Sequence, residues 1–132
     1  MSESLIIIDT SEVQEGRLED LKTAMEKLAA FAEENEPQMV AYRVYLNEDE
    51  NRVTVIQVHA DAASAEFHMS VGGPAFPGFA DLVRMVELNI YGRPGPDLVE
   101  KLQQKARMLG PATVAVHTLS AGFTRFGVPG SR

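Results

Sequence analysis

The chain contains no cysteine and no tryptophan among its 132 residues. Without thiols, disulfides, thiolate nucleophiles and cysteine-ligated zinc or iron–sulfur centres are excluded. Positive charge is scarce as well. Twelve Lys and Arg stand against 19 Asp and Glu, a formal net charge of −7, which opposes attraction to phosphate backbones and anionic lipid. Nucleic acid and membrane surfaces are therefore not expected partners. No apolar run approaches a membrane span, and Met1-Ser2-Glu3-Ser4 lacks the basic start of a signal peptide, so a cytoplasmic protein is the expectation. Gly72-Gly73 follows a helical pattern and precedes Pro74, which is not the strand-to-helix setting of a phosphate loop, and no nucleophile elbow or flavin or nicotinamide fingerprint is visible. The histidines, His59, His68 and His117, have no helical ligand spacing, so no metal is expected.

What is present is an ordinary globular pattern. At 45% hydrophobic the chain can bury a core, and residues 1–132 read as one domain. Leu5-Ile6-Ile7-Ile8, bounded by Asp9-Thr10-Ser11, reads as a central strand covered on both faces. From about Arg17 to Asn35, Leu18, Leu21, Met25, Leu28 and Ala32 recur at helical steps, and Pro37 disfavours helical geometry in the residue before it. Tyr42 to Leu46 and Val53 to His59 form two strands across the polar turn Asn47-Glu48-Asp49-Glu50-Asn51. Asp61 caps a second helix carrying Phe67 and His68, which stops before Gly72. Ala75 to Gly78 reads as a loop with aromatic anchors, residues 79–86 as a further helical turn, and Glu87 to Tyr91 as a fourth strand. The sum is β-α-β-β-α-β, an α+β, ferredoxin-like order with an antiparallel sheet. Beyond it, Pro96 to Leu109 predicts a third helix stopped by Gly110-Pro111, and Thr113 to Leu119 a fifth strand, continued after Gly122 by Phe123 to Phe126. Gly127 to Arg132 read as a tail.

The two strands, the polar turn and the histidine-bearing helix, Tyr42 to His68, resemble the antibiotic biosynthesis monooxygenase superfamily, which pairs two such strands and places a histidine on the helix that follows. The resemblance spans roughly residues 4–92, leaving about 93–126 as an extension. It implies a dimeric α/β barrel in which two sheets pack face to face with helices outside, which buries the apolar face that one subunit leaves half covered. It also implies a cofactor-independent monooxygenase: an electron-rich phenolic, quinol or polyketide-like aromatic, once ionised, reduces dioxygen directly, so no cofactor is needed. The extension is expected to tighten the homodimer.

The same resemblance places His68 as the catalytic base, since an imidazole titrates near neutral pH; the plainer role for this residue is to hold the helix on the sheet. His59 stands at a strand end where many relatives have tryptophan. It reads as a solvent-facing ring or as a substitute for that polar ring, and the missing tryptophan speaks against the haem-degrading branch. Tyr42 shares a face with Val40, Val44 and Leu46 and is a candidate substrate hydrogen-bond donor, or a buried tyrosine with a satisfied hydroxyl. Asn89 shares a face with Tyr91, opposite Leu88 and Ile90, and would bind an oxyanion if that face lines a cavity; if the face looks outward, both are surface or interface residues. Phe67, Phe76 and Phe79 are candidate walls of an aromatic pocket, or plain core. The alternative function is a non-catalytic dimer of the same fold that binds a small molecule or serves structurally.

Overall fold

The computed structural model describes residues 3–126; the expected tail from Gly127 lies outside them. The elements are β1 (Leu5–Val13), α1 (Leu18–Asn35), β2 (Met39–Asn47), β3 (Arg52–His59), α2 (Ala62–Gly72), a 3-10 segment (Gly73–Phe79), β4 (Val83–Tyr91), α3 (Pro96–Leu109) and β5 (Thr113–His117). The strands form one sheet in the order β2-β3-β1-β4-β5. Its first four strands are antiparallel, whereas β5 runs parallel to β4. The fold is therefore α+β and ferredoxin-like with a mixed sheet. The crossover through α3 brings the chain back in the same direction, which an antiparallel sheet would not allow. The sheet is open, with β2 and β5 at its edges, so no barrel closes within one chain. No helix among the described residues is long and apolar enough to cross a membrane.

β1 is central, but only one of its faces is fully covered. Leu5, Ile7, Asp9, Ser11 and Val13 are buried, while Ile6, Ile8, Thr10 and Glu12 are partly open. The strand runs past its expected end because pairing on both sides, with β3 and β4, satisfies the backbone through Glu12. Asp9 and Ser11 are thereby carried into the interior. Against the covered face lie Leu21 and Leu28 of α1, Ala65 of α2, and Leu98, Leu102, Ala106 and Leu109 of α3. The hairpin turn is fixed by Asn51, at φ 55, whose side chain donates to the Val13 carbonyl at 2.8 Å.

Two expectations fail in the second half. Residues 79–86 form no helix: the 3-10 segment comes earlier, and β4 starts at Val83. A register shift opposite Thr10 and Ser11 skips Val86, so the buried set runs Val83, Met85, Leu88, Ile90. The resulting three-residue step imitates a helical spacing. Among the described residues no strand follows β5; Phe123 is 76% exposed.

Candidate active site

The interior of this small sheet is unusually polar. Asp9, Ser11, Glu36, Gln57, His59, Ser64, His68 and Lys105 are all buried, and such groups destabilise a fold unless they are partnered. Two histidines divide the task. His59 is wholly buried rather than facing solvent, because the first turn of α2 folds back over the end of β3. Its Nε2–H donates to Gln57 Oε1 at 3.0 Å, and its Nδ1 accepts from the Ser64 hydroxyl at 2.9 Å. An amide oxygen can only accept, so this tautomer follows. Burial pushes the ring down to about 4, hence neutral. With both nitrogens engaged, His59 ties α2 to β3 and has no free atom for a substrate.

His68 differs. It lies in the last turn of α2, and its Nδ1 meets both carboxyl oxygens of Glu36, at 2.7 and 2.9 Å. Its Nε2 is buried and has no hydrogen-bond partner among the described residues. The rings of Tyr42, His59 and Phe76 surround it, each with its centroid 5.9 Å away. Glu36 stands just past α1, where its backbone N–H closes the helix on the Ala32 carbonyl. Burial pushes the Glu36 carboxyl up to about 7. Burial, reinforced by Lys105 and His59, pushes His68 down to about 3. The pair therefore avoids a buried ion pair. When Glu36 is protonated it donates to Nδ1, and the ring's own proton sits on Nε2. When Glu36 ionises, Nδ1–H donates to the carboxylate and Nε2 presents a lone pair. A carboxylate that orients an imidazole in this way leaves the far nitrogen able to accept a proton.

Tyr42 and Phe76 each have a second side, which faces an internal cleft together with Asp9, Met25, Phe79 and Lys105. Its free volume is about 30 Å³. Burial, with Asp9 and Glu36 adding, holds the Tyr42 phenol well above its usual range, so it remains a donor. Lys105 Nζ lies 3.9 Å from Asp9 Oδ2 and 4.5 Å above the Phe76 ring centroid. Burial raises the Asp9 carboxyl, opposed by Lys105.

His68, Tyr42 and Phe76 thus come together, with Phe79 on the cleft wall. Phe67 and Asn89 do not join them. Phe67 is 47% exposed, because neighbours on a helix point about 100° apart and His68 takes the inward position. Asn89 lies on the opposite face of the sheet, where its Oδ1 accepts from His117 Nε2–H at 2.9 Å beside Tyr91, which stacks on the His117 ring. Sequence reasoning missed Glu36, Asp9 and Lys105. Two of them carried a signal: Asp9 and Ser11 continue the alternation Leu5, Ile7, Val13, and Lys105 lies in the apolar stripe of Leu98, Leu102 and Leu109. Glu36 carried none. Among the described residues no three His, Asp or Glu side chains gather as a metal site.

No family model matches the sequence, and no curated protein is similar to it in sequence. The fold has close structural counterparts. MupZ from Pseudomonas fluorescens is 17% identical with a TM-score of 0.73, covering 94% of this chain and 96% of its own. SnoaB, a cofactor-independent oxygenase from Streptomyces nogalater, is 16% identical with a TM-score of 0.59, over 72% of this chain and 97% of its own. A protein from Bacteroides thetaiotaomicron assigned to the antibiotic biosynthesis monooxygenases is 20% identical with a TM-score of 0.60, over 65% and 85%. The chain has the fold of the antibiotic biosynthesis monooxygenases. The likeness to MupZ spans nearly the whole chain, so it takes in the extension as well.

Proposed function

We propose that this protein is a cofactor-independent monooxygenase acting on a small phenolic, quinol or polyketide-like aromatic. The observation that carries the reading is the buried, unpartnered Nε2 of His68, with Glu36 fixed on the other ring nitrogen. His68 takes a proton from the substrate, Glu36 holds the imidazole in the tautomer that can accept it, and the Tyr42 hydroxyl donates to the developing oxyanion. The substrate anion gives one electron to dioxygen; the resulting radical and superoxide combine as a peroxide, which loses water. In balance, an activated methylene and one dioxygen become a carbonyl and one water. The likeness to SnoaB supports the choice of dioxygen as co-substrate. The proposed working unit is a homodimer, with the helix-free sheet faces of two copies packed together.

One observation favours a second reading, a non-catalytic dimer that binds a small molecule or serves structurally: the cleft, at about 30 Å³, admits water but no aromatic ring without movement of its walls. Oxygen uptake by cofactor-free protein with a panel of hydroquinones and polyphenols separates the two. Uptake above autoxidation, lowered at least tenfold in His68→Ala, is the expected result, since a positioned general base typically contributes about 10²–10⁴-fold. Uptake at the autoxidation rate across the panel would favour the non-catalytic dimer. Equal uptake by both proteins would remove His68 from the mechanism.

A further inference from the structure

Asp9 and Lys105 take no part in the proton transfer just described, yet both are buried beside the cleft, at 5% and 7% exposure. Two charges in an apolar core destabilise it unless they are held close and hydrogen-bonded. These are not. The 3.9 Å between Nζ and Oδ2 exceeds hydrogen-bond reach, and the ammonium leans on the Phe76 ring instead. A gap of that size is bridged by a single oxygen about 2.8 Å from each group, a normal length for charge-assisted bonds. The free space beside the pair is about the size of that one oxygen.

We propose that Asp9 and Lys105, together with the Tyr42 hydroxyl on the same cleft, form a subsite that grips a substrate hydroxyl, selecting a neutral phenol. The hydroxyl donates to Asp9 and accepts from Lys105; once it ionises, Lys105 supplies the counter-charge. A carboxylate is disfavoured there because it would face Asp9 without a proton to share. The aromatic ring takes the apolar side. Leu28 and Phe79 wall the cleft and also floor an outer groove of about 560 Å³ between α1 and the 3-10 segment, so the ring enters where these two side chains give way. The inference deepens the oxygenase reading by naming the group the site holds, and rests on that reading only for the reaction that follows.

The test is anaerobic binding, which turnover does not affect. Wild type, Lys105→Met and the double variant Asp9→Asn with Lys105→Met are titrated calorimetrically with 4-nitrophenol, nitrobenzene and 4-nitrobenzoate, at a pH low enough to keep 4-nitrophenol neutral and high enough to keep 4-nitrobenzoate ionised, and folding is checked by circular dichroism. Wild type is expected to bind 4-nitrophenol roughly tenfold or more tightly than either probe lacking the hydroxyl, since a polar site rejects the analogue that leaves it unpaired. Both variants should lose that preference. If Lys105→Met does not fold, the double variant, which leaves no lone buried charge, carries the comparison. A preference that survives in the variants, or no binding of 4-nitrophenol by wild type, overturns the subsite. Failure here alongside His68-dependent oxygen uptake would remove the subsite alone, and binding without uptake would remove the oxygenase reading alone.

Discussion

Glu36→Gln is the most informative single change, because it separates the shape of the Glu36–His68 contact from its proton. The amide has the size of the carboxyl and can still accept from Nδ1–H, but it cannot ionise. Raising the carboxyl from 4.5 to about 7 means that the folded state holds this proton by about 3 kcal/mol more firmly than the unfolded chain. The folded value is the higher one, so this contribution is complete below pH 4.5 and is lost as pH rises through about 7. His68 has the opposite slope. Its value falls from 6.5 to about 3, so its contribution is present above pH 6.5 and is lost as pH falls toward about 3. Wild type should therefore be most stable in mildly acidic solution. Urea unfolding at about pH 5 and about pH 8 is expected to show wild type losing up to about 3 kcal/mol more than Glu36→Gln across that interval. Proton abstraction should track the same group: it rises in wild type as Glu36 ionises and frees the Nε2 lone pair, and is flat in the variant. An equal change of stability in the two proteins would refute the assignment of Glu36 as the buried acid.

Other expectations concern the frame around this pair. Ser64→Ala leaves His59 Nδ1 buried without its donor and should destabilise by about 1–3 kcal/mol in urea, with the activity per folded molecule retained. Gly110→Ala would put a Cβ 2.5 Å from the Met85 carbonyl oxygen and 2.6 Å from its nitrogen; strand backbone cannot move aside, so a loss of about 1–3 kcal/mol or more is expected from thermal unfolding. Gly72→Ala presses on His68 Cε1 at 3.3 Å and should lower oxygen uptake more than stability, the reverse of Ser64→Ala. Sedimentation should find two copies in wild type and one in Ile8→Lys, which places a charge on the helix-free face; a monomeric wild type would remove the sheet-to-sheet packing.

How much of this was legible in the sequence depended on range. α1, α3, the hairpin and the Asp61 cap were readable because each signal is local: apolar residues at helical steps, a polar turn, a carboxylate three residues before the amide it accepts. The central place of β1 and the antiparallel pairing of β2 with β3 were readable in the same way, whereas the parallel pairing of β5 with β4 was not. β4 was misread where the skipped residue Val86 breaks the two-residue period, an event set by its partner strand and not by its own residues. The site was legible only in part. His68 and Tyr42 could be placed on inward faces by periodicity, and Phe76 only as an aromatic anchor of its loop, but exposure of Phe67 and burial of His59 depend on how α2 lies over β3. The partner that gives His68 its chemistry is the residue before Pro37, at a helix end where a solvent-exposed carboxylate is the ordinary expectation.

The extension is better understood as part of the site than as an addition to a finished domain. Leu98, Leu102, Ala106 and Leu109 close the core over β1 and β4, Gly110 brings the end of α3 against the Met85 backbone, and Gly92 donates to the His117 carbonyl at 2.9 Å. These contacts fix the height of α3 above the sheet, and with it the position of Lys105. Asp9 would otherwise be an isolated carboxyl in a hydrophobic interior, where it would hold its proton and lose its use as a charged acceptor. Conversely, a lysine in the buried stripe of α3 is tolerable only because Asp9 and the Phe76 face await it. A polar residue in the central strand and a charged one in the last helix each make sense only through the other, and together they turn an otherwise filled core into one that can hold an oxygen.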